Sequence, residues 1–280
     1  MSTSQPSSAL AKIKLYTNHG CGWCHRVHIT LKELGLEYEE VKVDLDQARP
    51  AWFLALNPRG LVPVFQYTPG PHASTLTLTE SGLIVSFLTE LYPSHLIPPP
   101  PVPAALTPTP TGDAVASTHL RYRMSFIIDA FFTKVNPFMF KLVGADAGEA
   151  QDKMVDDMIG LLEKEIEPLL PEPGAEKGPY FDGSEKLTLV EASTQSPSST
   201  IHLLGLSPLR IFRFHDFANG VIFPTSLADR MLGPTLPRFS HWVKLCMTHP
   251  SVTYVWDKEY FLPRIEERLG AAKKKYANMN

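Results

Sequence analysis

The apolar positions of this chain follow two different periods, and the change between them divides the sequence. From Lys12 to Thr17 polar and apolar residues alternate, the two-residue period of a half-buried strand. A turn-rich stretch follows, Asn18-His19-Gly20-Cys21-Gly22-Trp23-Cys24, and then Val27, Leu31 and Leu34 recur at helical spacing with Gly35 as a stop signal. Tyr38 to Val43 alternates again, so the opening segment predicts strand–helix–strand with a thiol turn at the top of the first strand. Pro50 to Leu56 predicts a short helix, proline being tolerated in a first helical turn, and Asn57-Pro58-Arg59-Gly60 breaks it. Val62-Pro63-Val64-Phe65 and Leu76-Thr77-Leu78 predict two hairpin strands joined around Pro69-Gly70-Pro71. Because Pro63 removes a ladder donor, its strand is expected at an edge or another special position. Glu80-Ser81 then precede a helix whose apolar face is Ile84, Phe87, Leu88 and Leu91, completing a small α/β unit near Tyr92.

Past Tyr92 the pattern changes. Residues 93–112 hold consecutive prolines from Pro98 to Pro101 and then Thr-Pro repeats, the composition of a stiff linker and a domain boundary. Beyond it the apolar residues fall at helical spacing throughout. An aromatic, apolar run extends from Leu120 to Leu142, a second from Met154 to Leu170 ends against Pro171, and two more lie at His241 to Met247 and Tyr260 to Lys275. The expected organisation is a flexible tail at 1–11, an α/β domain at 12–92, a linker at 93–112 and an all-helical domain at 113–280. No internal repeat is present.

Composition narrows the function classes. Hydrophobic residues at 44% and charged residues at 20% fit a globular protein rather than a disordered one. A net charge of −3 and a pI of about 6.4 supply no field for nucleic acid or an acidic membrane. The basic cluster Lys273-Lys274-Lys275 reads as a solvated helix end. The Ser-rich N-terminus lacks the plan of a signal peptide, and no apolar run approaches the ~20 residues of a membrane span. Three cysteines cannot build a disulfide framework, so the expected location is the reducing cytoplasm.

Cys21 and Cys24 form a C-x-x-C pair at a strand-to-helix junction. The unpaired N–H groups and the positive dipole end of a first helical turn stabilise an anion there, and His25 and Arg26 add positive potential. Three other readings compete. Cys21-Gly22-Trp23-Cys24-His25 is literally the string of c-type haem attachment, but that chemistry needs export or a special compartment. A zinc site would need two more ligands, and although His19 and His25 flank the pair, no second matching pair lies nearby, so no metal is expected. Two inert cysteines in a turn are the bland alternative. Redox or nucleophilic use by Cys21 is the reading carried forward.

Several strings taken together resemble the glutathione transferase superfamily, the omega class most closely. Cys21-Gly22-Trp23-Cys24-His25-Arg26 resembles its Cys-Pro-aromatic-small-x-basic motif, with Gly22 in place of the usual proline and Cys24 in place of a common alanine. Arg49-Pro50-Ala51-Trp52-Phe53, Asn57-Pro58-Arg59-Gly60-Leu61-Val62-Pro63-Val64, Glu80-Ser81-Gly82-Leu83-Ile84 and Leu91-Tyr92-Pro93 resemble further motifs of that family in the right order. The resemblance implies a thioredoxin-like, glutathione-binding N-terminal domain followed by an all-α domain for a second substrate. It also implies glutathione as co-substrate, a small electrophilic partner, a homodimer and a role in detoxification.

Roles follow position by position from that resemblance. Cys21 would form a mixed disulfide with glutathione, and Cys24 would be either a resolving thiol or a packing residue. Val62, before a cis Pro63, would pair main chain to main chain with the cysteinyl unit. Glu80 and Ser81 would hold the γ-glutamyl end and Arg49 the glycyl carboxylate. Tyr122, Met124 and Phe126 are the expected lining of the second-substrate pocket. The implied activity is a cysteine-dependent thioltransferase or reductase. The alternatives are glutathione conjugation or isomerisation, and a non-catalytic regulatory or channel-like protein on the same fold.

The second domain continues the resemblance. Gly178 to Gly183 and Leu187 to Glu191 resemble the start of the family's central helix, and Thr188-x-x-Glu191 is a capping box. The chain departs from the family just afterwards. Ser193-Thr194-Gln195-Ser196-Pro197-Ser198-Ser199-Thr200 is polar and interrupted by proline where an apolar helix is expected. Residues 193–208 are therefore read as an insertion or a misread gene segment.

Overall fold

The computed structural model describes residues 11–99, 111–144, 148–194, 223–255 and 257–264, with a few isolated positions besides. The tail before residue 11, the linker at 100–110, residues 195–208 of the anomalous segment and the lysine cluster at 273–275 lie outside the described residues.

Alternation in the sequence becomes a four-stranded mixed sheet. β1 (Lys12–Thr17) runs parallel to β2 (Glu39–Lys42) and antiparallel to β3 (Val64–Thr68), which pairs with β4 (Leu76–Thr79) in the order β2-β1-β3-β4. The strand that follows Pro63 is thus interior, not an edge. The ladder begins at Val64, opposite Tyr16 and Thr79, so the proline lies just outside the paired residues and no ladder donor is lost.

The two faces of the sheet carry different layers. Ile13, Leu15, Phe65 and Tyr67 pack on one face against Val27 and Leu31 of α1 (Gly22–Glu33) and Ile84, Val85 and Leu88 of α3 (Ser81–Leu91). The buried face of α3 is shifted from the expected one, since Leu91 is exposed. On the other face Tyr16, Val43, Val62 and Val64 pack with Phe53 of α2 (Ala51–Leu56) and with both thiols, Cys21 and Cys24. Gly35 ends α1 at φ 63°, a backbone conformation that glycine adopts without strain.

The rest is helical: α4 (Gly112–Ala130), a π-helical turn at Phe131–Val135, α5 (Asn136–Gly144), α6 (Glu149–Glu165), α7 (Leu189–Thr194), α8 (Thr225–Met231), α9 (Pro237–Thr248) and α10 (Pro250–Thr253). Their core centres on Trp242, Phe239, Phe181 and Phe223, and Leu96 and Ile29 reach into it from the first layer. The capping box at Thr188 is part of a buried hub. Glu191 accepts from the Thr188 N–H at 2.7 Å, the Thr188 hydroxyl at 2.6 Å, the Phe181 N–H at 2.9 Å and the Trp242 indole N–H at 2.7 Å. A buried carboxylate is tolerable when its lone pairs are filled in this way.

The layers are also joined by polar contacts. His25 Nε2 lies 2.8 Å from the Val252 carbonyl, which can only accept, so this nitrogen carries the proton. Glu33 accepts from the Ser251 hydroxyl and meets His95 Nε2 at 2.9 Å. The Leu189 N–H donates to the Leu96 carbonyl at 2.6 Å.

Candidate functional site

Asn18 builds the turn that presents the thiols. Its amide donates to the Val43 carbonyl at 3.0 Å, its side-chain oxygen accepts from the Gly20 N–H at 2.9 Å, and its backbone carbonyl accepts from the Cys21 N–H at 2.9 Å. Cys21 thereby becomes the N-cap of α1, and its carbonyl receives the His25 N–H at 3.1 Å. Its side chain is only 1% exposed. A Cβ on Gly20 would lie 2.9 Å from the Phe261 ring, so glycine here permits the C-terminal segment to close over the turn.

Cys24 lies one helical turn on and is fully buried. Burial pushes its thiol well above the ordinary cysteine range, and the hydrogen bond and charge of Cys21 push the same way. The Thr17 side chain and the Asn18 backbone oppose this more weakly. Cys24 is therefore protonated at neutral pH.

Opposite the thiol turn, the Val62–Pro63 peptide is cis, and Asn57 braces the preceding loop by donating to the Leu61 carbonyl at 2.8 Å. Glu80 sits at φ 68°, a strained conformation for a non-glycine residue of the kind that collects at ligand sites. It places Ser81 as the first residue of α3. The Glu80 carboxylate accepts from Arg59 Nη1 at 2.5 Å.

These elements meet around a cavity of about 470 Å³ whose lining includes Trp23, Arg26, Arg59, Val62, Pro63, Glu80, Ser81, Ile128 and Phe132. The structure thus brings Val62, Pro63, Glu80 and Ser81 to one place. Cys21 is not among the lining residues; it belongs to the same buried side-chain cluster as Val62. Arg49 is not there either. Its guanidinium donates to the carbonyls of Gly60, Asp44, Gln47 and Leu45, a clamp on the loop beside α2, and Arg59 is the arginine that faces the cavity.

The expected second-substrate residues are placed elsewhere. Met124 is core, and Tyr122 and Phe126 are exposed on α4, 61% and 44%. The residues of this helical segment that line the cavity are Ile128 and Phe132. The four-residue spacing of Ile128 and Phe132 was the available signal, because it marks one helix face.

Arg26 is 7% exposed, and burial lowers its pKa to about 10, so it remains a cation at neutral pH. Its Nη1 donates to the Ser81 hydroxyl at 3.4 Å, and its guanidinium lies 5.4 Å from the centre of the Phe132 ring. Trp23 and Phe132 face one another nearly parallel at 6.1 Å, forming an aromatic wall.

Among the described residues one group has metal-binding side chains close together: His19, His28 and Glu40. His19 Nε2 is 2.7 Å from Glu40, and His28 is held by the Thr17 hydroxyl at 2.8 Å and the Tyr38 hydroxyl at 2.6 Å. This is a polar brace joining β1, α1 and β2 behind the thiol turn.

Residues 20–91 match the glutathione S-transferase N-terminal domain family. Over 67 residues the chain is 46% identical to the glutathione S-transferase-like protein gedE of Aspergillus terreus, covering 24% of this chain and 28% of that one. Over 88 residues it is 33% identical to glutathione S-transferase omega-1 of Rattus norvegicus, covering 31% and 34%. These alignments span about a third of the relatives' length. The fold similarity runs further: glutathione transferase Omega 2C from Trametes versicolor superposes with a TM-score of 0.65 at 23% identity, covering 92% of this chain and 99% of that one. Rice GST1, solved in complex with glutathione, gives 0.66 at 20% identity, covering 95% and 98%.

Proposed function

We propose that this chain is an omega-like member of the glutathione S-transferase superfamily and a glutathione-dependent thioltransferase with Cys21 as its reacting group, on its similarity to that family over residues 20–91 and the likeness of its fold. The observation that carries the proposal is the position of Cys21: it caps α1 in the side-chain cluster that contains Val62, the residue before the cis proline. The helix N-terminus favours a thiolate at Cys21, and Cys24, holding its proton, supplies it a hydrogen bond.

In the proposed reaction the Cys21 thiolate attacks the glutathionyl sulfur of a mixed disulfide. The substrate thiolate leaves, and Cys21 carries the glutathionyl group. A second glutathione thiolate attacks that sulfur, releasing oxidised glutathione and restoring Cys21. Glutathione lies along Val62 and Pro63, its γ-glutamyl carboxylate at Ser81 and the start of α3, and its glycyl carboxylate at Arg59, with Arg49 holding the loop that carries Arg59. Cys21 is sealed, so exchange requires an opening, and the contact of Phe261 with Gly20 is the one to yield. No described helix is long and apolar enough to cross a membrane. A cytosolic homodimer that detoxifies small electrophiles completes the proposal.

Burial of Cys21 also favours a second reading, a protein that binds glutathione without turnover. The two separate in one assay: glutathione-dependent reduction of the mixed disulfide of glutathione and 2-mercaptoethanol. Activity abolished in Cys21→Ser and retained in Cys24→Ser is expected. An inactive wild type that still binds glutathione refutes the transferase reading.

A further inference from the structure

Among the described residues Arg26 has no counter-ion. No carboxylate lies within salt-bridge distance of it among the described residues, and its Nε is buried without a hydrogen-bond partner. Glu80, the acid at the start of the facing helix, is already bound by Arg59. The hydrogen bond to Ser81 is long at 3.4 Å, and the Phe132 ring satisfies no donor. An ion taken out of water in this way is retained at a real cost unless something else brings the opposite charge.

The surroundings define what that something is. A second cavity, of about 610 Å³, shares Trp23, Arg26, Glu80, Ser81, Ile128 and Phe132 with the first and extends towards Val85, Ser125, Asp129 and Leu189. It has none of Arg59, Leu61, Val62 or Pro63 in its lining, the residues along which the tripeptide is placed. The shared wall is aromatic and aliphatic apart from the guanidinium and the Glu80-Ser81 corner, the composition of a site for a planar apolar body with one fixed polar contact. The guanidinium fork matches a carboxylate. A dianion would leave charge uncompensated between Glu80 and Asp129, which line the same cavity.

We propose that Arg26 receives the carboxylate of the second substrate, which makes the preferred substrates of this protein planar aromatic acids. The proposal rests on the glutathione-dependent reading only in calling that ligand the second substrate.

The test is calorimetric titration of the full-length protein with 2-naphthoate and, in parallel, its neutral isostere 2-naphthamide, each with and without saturating glutathione. Glutathione binding is measured separately. The acid should bind at least about tenfold tighter than the amide, the range of a charge-assisted hydrogen bond, with or without glutathione. Arg26→Gln should bring the two ligands to equal affinity, and Arg26→Lys should restore part of the preference. Equal affinities in the wild type overturn the proposal, and this comparison decides the matter even if the Gln variant fails to fold. Competition between glutathione and naphthoate also overturns it, because Arg26 would then serve the tripeptide's own carboxylate. A naphthoate preference in a protein that does not bind glutathione supports the carboxylate receptor and refutes the glutathione-dependent reading instead.

Discussion

Replacing Arg26 by methionine should leave the ligand-free protein as stable as the wild type or more so, against the usual rule for a buried polar residue. The substitution keeps the apolar stem and removes the charge. Burial lowers the pKa of this guanidinium well below its ordinary value, to about 10. At about 1.36 kcal/mol per pH unit, the charged group costs the fold on the order of 3 kcal/mol. Against this stand the long hydrogen bond to Ser81, worth at most about 1 kcal/mol, and the contact with Phe132, worth roughly 1 kcal/mol. The net expectation is a gain of about 1 kcal/mol for Arg26→Met, whereas breaking a paired buried ion typically loses ~3–5 kcal/mol. The pH dependence has a definite sign. Below about pH 10 the group is charged in both folded and unfolded chains and the full penalty applies; above about pH 10 the folded chain releases the proton first, so the unfolded chain binds more protons. The wild type therefore gains stability relative to the variant as the pH rises through 10. Urea unfolding followed by tryptophan fluorescence, at pH 7 and near pH 10, measures both effects. A variant less stable by 3 kcal/mol or more at pH 7 would show that Arg26 is paired and would remove the premise of the anion site.

Glu191→Ala should cost at least about 3 kcal/mol, because it orphans the Phe181, Thr188 and Trp242 N–H groups inside the core; a urea midpoint close to that of the wild type would refute the hub. Phe261→Ala should speed iodoacetamide labelling of Cys21 at pH 7 severalfold while Cys24, its thiol pushed up by burial, stays unlabelled. Peptide mass spectrometry reads both positions, and an unchanged Cys21 rate would place its cover elsewhere.

What the sequence allowed one to read was set by how local each signal is. The alternation of Lys12–Thr17 and the spacing of Val27 and Leu31 carry their own structure, because period alone decides which face is apolar. The Asn57–Val64 and Glu80-Ser81 strings were legible because each needs a particular backbone, a cis proline in one and a strained residue before a helix in the other. Direction was not legible. Arg49 and Arg59 flank α2 on either side, and only the fold shows that one turns back on four carbonyls while the other faces the cavity. Along α4 the expected lining residues were out of phase: Met124, Ile127 and Phe131 form the core-facing ladder, which rotates Ser125, Ile128, Asp129 and Phe132 towards the cavities. The core position of Met124 sets that phase.

α1 shows why Arg26 in particular should wait for a ligand. Nine of its twelve residues are buried, so it has no solvent face to take its polar side chains. Each of those side chains must find a partner inside the protein or outside it. Thr30 returns its hydroxyl to the Arg26 carbonyl, His25 is tied to the Val252 carbonyl, and His28 is held between Thr17 and Tyr38. Cys24 is hydrogen-bonded to Cys21 and Thr17. Within this row, the strongest donor on the helix keeps a buried Nε with no hydrogen-bond partner among the described residues and faces two cavities. Elsewhere on α1 the protein supplies the partner itself; at Arg26 it supplies an aromatic wall and space.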